Sequence, residues 1–179
     1  MATKIMRREE AQNLISSSDR TVYEKMLEDR QILVPESEEF GILIPKTRAN
    51  AKIIPEVDFL NRSGSLALLQ DGVAHAQWSG YPDKKNTITL FSHNGDSFFH
   101  STRYNIGFLL LDKLSEGDDI KLYSNGIEYN YRVSGWQIIK PSEVNYIDSQ
   151  QDKELLKVYS QWPLGTNWRR IVLTAERTD

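Results

Sequence analysis

The chain has 179 residues, of which 39% are hydrophobic and 26% charged, with a formal net charge of −3 at pH 7 and no cysteine. This composition suits one globular domain with a sizeable core, and it excludes a disulfide framework and a thiolate metal site. The 22 basic residues are scattered, so the sequence offers no basic stripe for a nucleic-acid partner. There is no long apolar run and no signal-peptide pattern, so we expect a membrane link only through an anchor that is not present in this chain.

The first 38 residues are polar and charged, with apolar positions at partly helical spacing. A break at residues 16–19 precedes a second helical stretch, for which Asp19 is a suitable N-cap. We therefore predict a helical N-terminal arm over residues 1–38, followed by a strand-rich domain over residues 39–179.

Short apolar runs bounded by prolines and turns indicate a mainly β body. Residues 40–45 and 51–55 each predict a strand that ends at its proline, because proline cannot donate a hydrogen bond to a ladder. Residues 65–70 predict a short helical turn. Residues 87–93 are rich in β-branched and aromatic side chains, which predicts another strand.

The middle of the chain predicts a helix and a hairpin. The apolar segment 108–114 indicates a short helix. Asn125-Gly126 between alternating apolar residues is a strong hairpin signal, and it joins predicted strands at 119–123 and 128–141. The polar residues 142–153 indicate a surface loop.

The C-terminal stretch, residues 155–176, indicates a strand, a loop and a second strand. Residues 155–159 suit a half-buried strand, and residues 171–174 form an apolar, β-branched run that suits a buried one. Arg169 and Arg170 stand where this last strand begins.

This layout resembles the end of a sortase, the bacterial cysteine transpeptidase that joins surface proteins to the cell wall. In that family a strand T-L-x-T-C is followed by a loop, often W-P-x-G-T, and then by an arginine and aliphatic residues. The corresponding letters here are L-K-V-Y-S-Q over residues 156–161, W-P-L-G-T over residues 162–166, and R-I-V over residues 170–172. The family's cysteine falls on Gln161.

Earlier segments match the same family in the same order. An I-P-K … A-x-I-x-P pattern lies at residues 44–55, a G-x-A-H segment at residues 72–75, and F-x-x-L-x-x-L-x-x-G-D at residues 108–118. The resemblance covers roughly residues 40–176. It implies a sortase-like closed β-barrel of about eight strands with short helices in its loops.

The resemblance also implies roles for two site residues. A cysteine transpeptidase needs a thiolate, a general acid for the leaving amine and a fixed donor for the oxyanion. His93, at the end of its predicted strand, corresponds to the acid, and Arg170 to the residue that stabilises the oxyanion and positions the substrate. From the residues alone, His93 also suits a half-buried strand-end histidine and Arg170 a surface charge.

Gln161 cannot act as the nucleophile, because a neutral carboxamide has no accessible deprotonated form comparable to a thiolate. Ser160 is an unsuitable replacement, since strand alternation sends it to the face opposite Gln161. Ser92, which stands where the family usually has glycine, fails in the same way if His93 points into the cleft.

Two further residues are candidate substrate contacts by the same resemblance. His75 would line the groove, with a polar loop residue as the alternative. Trp162 would flank a bound peptide, and the alternative is a structural role that staples the loop. The sequence has no convincing calcium loop, Gly-rich phosphate loop or HExxH motif, so we predict no metal and no cofactor.

The favoured hypothesis is a pseudo-sortase that keeps a groove for a sorting-signal-like peptide at the extracytoplasmic face of a bacterial membrane. Its partner would be the sorting signal of a surface protein, with a cell-wall precursor as a possible second partner. One alternative is an active sortase transpeptidase whose cysteine was lost or substituted in this chain, or which uses an unrecognised nucleophile. Another is a structural scaffold domain with a closed groove.

Overall fold

The structure is a computed structural model that describes residues 34–58, 72–84, 86–92, 107–143, 154–163, 166 and 168–179. These residues form eight strands: β1 Phe40–Ile44, β2 Ala49–Val57, β3 Val73–Ala76, β4 Ile88–Phe91, β5 Asp119–Ser124, β6 Ile127–Ile139, β7 Leu155–Trp162 and β8 Arg169–Arg177.

A kinked 3₁₀ helix, Gly107–Lys113, precedes β5 and occupies the segment for which the sequence predicts a helix. The predicted N-terminal arm, the helical turn at residues 65–70 and most of the loop at 142–153 lie outside the described residues. No helix within the described ranges has the length and apolar character needed to cross a bilayer.

The eight strands close into a barrel in the order β1-β2-β3-β4-β7-β8-β6-β5. The pairs β2–β3 and β4–β7 are parallel, and the other six pairs are antiparallel. This arrangement confirms the prediction of a mainly β, closed barrel of about eight strands. It also sets the last strand of the chain, β8, between β7 and β6.

The barrel interior is filled by apolar side chains from every strand. We call this set the inner cluster; its largest fully buried members include Ile42, Leu90, Leu156 and Leu173. Burying a side chain of this size contributes about 1.5–3 kcal/mol to folding. The inner cluster therefore accounts for why alternate residues of each strand are apolar.

A second apolar cluster lies on the outer face of part of the barrel wall. This outer cluster contains Val57, Ala74, Ala76, Phe91, Ile139, Tyr159 and Val172. Strand β7 contributes to both clusters, and its first seven residues are all buried. The prediction that residues 155–159 form a half-buried strand is therefore wrong, because Lys157 and Tyr159, on the face opposite the inner cluster, are buried as well.

Strand β2 does not end at Pro55 as the sequence predicts. It continues to Val57 because the β2–β3 register shifts between Ile54 and Val57, and a proline is tolerated at such an irregularity. Glu56, at the shift, has φ of 56°. The bend turns Val57 toward the outer cluster.

The β5–β6 hairpin confirms the turn predicted from Asn125-Gly126. Both residues have positive φ, 51° for Asn125 and 76° for Gly126, as a two-residue turn that follows the right-handed strand twist requires. Strand β6 then continues to Ile139, with a register shift between Val133 and Gly135. Its far end reaches the same end of the barrel as the start of β8.

Candidate active site

Gln161 and Arg170 lie opposite each other at one end of the barrel. They are register partners in the antiparallel pair β7–β8, and Ile139 of β6 is the partner of Arg170 on its other side. Directly paired residues place their side chains on the same face of a sheet. Gln161 is only 8% exposed and Arg170 is half-buried. The position that the resemblance assigns to a nucleophile thus holds a neutral amide beside a cation.

The outer cluster forms the floor that leads to this pair. Tyr159 precedes Gln161 by two positions and therefore shares its face. The Tyr159 ring stacks on Phe91 of β4, with 5.6 Å between ring centroids. Ala74 and Ala76 add only methyl groups to the same face and are 0% exposed, so the layer beside the pair is apolar and buried.

Arg170 places a positive charge on this face, close enough to act on Tyr159. Burial raises the pKa of the Tyr159 phenol, and the positive charge of Arg170 acts in the opposite direction. The phenol therefore stays neutral at physiological pH and adds no negative charge. The Arg170 guanidinium also donates from Nη1 to the carbonyl oxygen of Arg169, at 2.9 Å.

Ser160 points away from this face. It is 2% exposed, and its Oγ accepts a hydrogen bond of 3.2 Å from Oγ of Ser92, which is also buried. Val158, two positions earlier on β7, belongs to the inner cluster. The strand-alternation argument is confirmed for Ser160, which lies on the barrel-interior side of the sheet and is unsuited to replace the missing cysteine.

His75 is placed inside the fold and away from the groove. It is 0% exposed, and its neighbours Ala74 and Ala76, not His75 itself, face the outer cluster. The His75 ring packs 4.5 Å from the ring of Tyr81 and 5.6 Å from that of Phe40, measured between centroids. His75 is therefore a buried strand residue and not a polar loop residue. Its position favours a structural role.

Ser79 and His75 have the spacing of a serine nucleophile and its histidine base, since Ser79 Oγ lies 3.0 Å from His75 Nε2. The Gly80 carbonyl oxygen lies 2.8 Å from the same nitrogen, and a carbonyl can only accept. Nε2 therefore carries the proton, while Nδ1 accepts from the N–H of Glu56 at 3.4 Å. A protonated Nε2 cannot take a proton from Ser79, so this pair is not a serine nucleophile with its base.

Trp162 ends β7 and is 36% exposed. Its register partner is Arg169, and strand alternation puts both on the face opposite Gln161. The placement favours the structural alternative, in which Trp162 belongs to the start of the β7–β8 connection. A contact between Trp162 and a bound peptide stays a prediction.

His93 lies outside the described residues, so its position beside Gln161 also stays a prediction. The structure does describe the strand that leads to it: Phe91 pairs with Tyr159, and the Ser92 N–H donates to the Tyr159 carbonyl at 3.1 Å. Within the described ranges, no group of three or more His, Asp or Glu side chains is arranged to hold a metal ion.

The sequence does not reveal the aromatic stack beneath the site. Tyr159 stands at the variable position of the T-L-x-T-C pattern, so the resemblance gives it no role. The apolar runs of β4 and β7 indicate buried strands, but their parallel pairing sets Phe91 beside Tyr159. The signal in the sequence is a large aromatic residue, Phe91 on β4 and Tyr159 on β7, on the face of each strand that is expected to meet the cleft.

Comparison with known proteins bears directly on this site, because the sortase-domain family model matches residues 42–178. The chain belongs to the sortase family. Sortase D of Bacillus subtilis (strain 168) is 28% identical over 141 residues, which cover 76% of this chain and 63% of that protein. The sortase chain described here thus spans less than two thirds of the length of this relative.

Solved structures show the same fold. Sortase C1 from Streptococcus agalactiae is similar with a TM-score of 0.64 and 22% identity, covering 92% of this chain and 78% of that one. Clostridium perfringens sortase C with the C-terminal cell wall sorting motif is similar with a TM-score of 0.63 and 22% identity, covering 97% and 92%. At these identities the likeness concerns the fold of the sortase domain.

Proposed function

We propose that this sortase-family chain is a pseudo-sortase, which binds a sorting-signal-like peptide in the groove above the outer cluster and does not transfer it. The observation that carries the proposal is the buried Gln161 opposite Arg170 in a chain without cysteine. A sortase-type reaction forms a thioester, which requires a thiolate, and a carboxamide provides none.

The surroundings of Gln161 support retention of a peptide site. The side chains beside it are apolar and closely packed, with Ala74 and Ala76 0% exposed and Tyr159 2% exposed. Arg170 supplies a fixed donor beside that floor. Apolar walls with few placed polar groups are typical of ligand-binding clefts. The Clostridium perfringens structure with a sorting motif makes a peptide of that kind the first ligand to test.

The same family resemblance supports a location at the extracytoplasmic face of a bacterial membrane, with the sorting signal of a surface protein as partner. A cell-wall precursor would be a second partner only if transfer occurred. The proposed role of His93 beside Gln161 belongs to the ancestral reaction and is not needed for binding.

The test combines a binding measurement with a search for chemistry. The chain is incubated with a panel of synthetic sorting-signal peptides and an amine acceptor, and both protein and peptides are weighed by mass spectrometry. We expect intact peptides, no acyl-enzyme, and saturable binding by calorimetry that weakens when Arg170→Ala is introduced. An Arg169→Gln variant, changed on the opposite face, serves as the matched control.

Other outcomes identify the alternatives. Peptide cleavage or a covalent adduct would show that this sortase is active through another nucleophile. Complete absence of binding across the panel would support the scaffold with a closed groove.

A further inference from the structure

We infer that Gln161 and Arg170 together recognise a free carboxylate, so that the ligand is an extended peptide with an unblocked C-terminus. This inference rests on the proposed peptide-binding function and names the chemical class of its ligand. The established family chemistry acts on an internal peptide bond, whereas a carboxylate is what remains after such a bond has been hydrolysed.

The pairing of the two side chains carries the inference. A carboxamide has two N–H donors, and a guanidinium has N–H donors in a planar fork that matches a carboxylate. Because Gln161 and Arg170 are direct cross-strand partners on one face, their β-carbons lie roughly 4.5–5.5 Å apart. Donors from both side chains are thus within reach of a single anionic group between them.

Burial strengthens the preference for a charged acceptor over a neutral one. Gln161 is 8% exposed, and the floor beside it is the stacked Tyr159–Phe91 pair. Hydrogen bonds to an ionised acceptor are roughly twice as strong as neutral ones, and low surrounding dielectric increases the difference. Tyr159 stays neutral here, so it does not repel an anion.

A carboxylate in this place also explains why glutamine is compatible with the site. A cysteine thiolate would carry a negative charge and repel a bound carboxylate, whereas the amide of Gln161 attracts it. Replacing a nucleophile by a donor converts a site for an internal carbonyl into a site for an end group. Such an end group is carried by the C-terminus of any unblocked chain, and hydrolysis of a longer chain also exposes one.

The experiment compares two matched ligand sets on the full chain. A pentapeptide library with free C-terminal carboxylates and the same library as C-terminal amides are passed over the protein, and retained peptides are identified by mass spectrometry. We expect the best acid to bind about 10- to 100-fold more tightly than its amide, the range for one charge-assisted contact. In ¹⁵N spectra, the Gln161 side-chain amide and Arg170 Nε–H signals should shift with the acid.

Variants separate recognition from folding. Gln161→Glu preserves shape but opposes the anion, and it should remove the preference for the acid, measured as the ratio of acid to amide affinity. Arg170→Lys keeps the charge without the planar fork and should reduce the preference by about 10-fold. Arg169→Gln, on the other face, should leave it intact. If Gln161→Glu does not fold, Arg170→Lys still decides the question.

The outcomes distinguish this inference from the function on which it rests. Equal binding of acid and amide, or equal binding of an amidated peptide that carries an internal glutamate, overturns recognition of a C-terminal carboxylate. Retention of neither library overturns peptide binding itself.

Discussion

At the residue scale, the proposed function of this sortase-family chain rests on one side chain, Gln161, and on the arginine paired with it across β7–β8. A nearby guanidinium keeps its charge at any relevant pH and favours anionic states of its neighbours. Beside glutamine at position 161, the Arg170 guanidinium would stabilise a bound anion. Beside cysteine at the same position, it would stabilise the thiolate. The same geometry makes the proposed loss of transpeptidation testable by a single substitution.

Introducing cysteine in the Gln161→Cys variant should give weak, thiol-dependent cleavage of a sorting-signal peptide. Arg170 would lower the thiol pKa below its ordinary value of about 8.5, and the shorter side chain would leave room for a substrate carbonyl. Weak activity is expected because a positioning error of about 1 Å costs on the order of 100-fold in rate. Peptide products are followed by mass spectrometry, and the thiol pKa by the pH dependence of alkylation.

The double variant Gln161→Cys with Arg170→Ala is the control and should be inactive. A thiol pKa that stays near 8.5 in the single variant would mean that Arg170 and His93 do not act on position 161. The scaffold reading of this sortase would then be the better one.

At the scale of elements, the sequence predicts strands well where one face alternates and turn residues are unambiguous, as in the hairpin at Asn125-Gly126. The sequence does not predict strand β3, because its four buried residues are mostly small and show no periodicity. It also misplaces the end of β2, which continues through Pro55 by a register shift. The pairing of Gln161 with Arg170 follows from the order of β7 and β8. The outer cluster cannot be predicted in the same way, because its contacts depend on which strands become neighbours in the barrel.

Close packing of β1 gives a sharp prediction for Gly41. A Cβ at this position would lie 2.1 Å from the carbonyl oxygen of Ser37, a backbone atom with little freedom to move. Gly41→Ala should therefore destabilise the sortase domain by about 3 kcal/mol, the upper part of the range for overpacking. Urea unfolding followed by tryptophan fluorescence measures the loss.

Gly126→Ala is the comparison for that variant. Nothing lies within 4 Å of the added Cβ, so its cost comes from the positive φ of 76° alone and should be about 1–2 kcal/mol. A smaller effect for Gly41→Ala than for Gly126→Ala would show that the segment around Ser37 yields easily.

At the scale of the whole molecule, the buried His75 links the stability of the fold to pH. Burial lowers the pKa of His75, while its hydrogen bond to the Gly80 carbonyl and the charge of Glu56 act in the opposite direction. The unfolded chain, with a pKa near 6.5, then binds a proton more readily than the folded chain. Stability is therefore fully present above about pH 6.5 and falls as the pH is lowered toward the folded pKa.

We expect the free energy of unfolding to decrease between pH 7.5 and 5.5, and this decrease to be smaller in His75→Gln. Urea titrations at several pH values measure both. His93→Gln, which changes another histidine, should keep the pH dependence of the unchanged chain. An identical dependence in His75→Gln would show that other groups cause the loss of stability.

Strand β8 follows the other seven described strands in the chain, yet it completes the wall between β7 and β6. Until β8 pairs with them, these two strands present open backbone edges, and Arg170 has no place opposite Gln161. Contacts between distant segments form slowly, and unpaired edges invite association with other chains. The folding sortase domain therefore has its greatest need for chaperone protection before β8 docks, and truncation within β8 should yield aggregates instead of a shortened barrel.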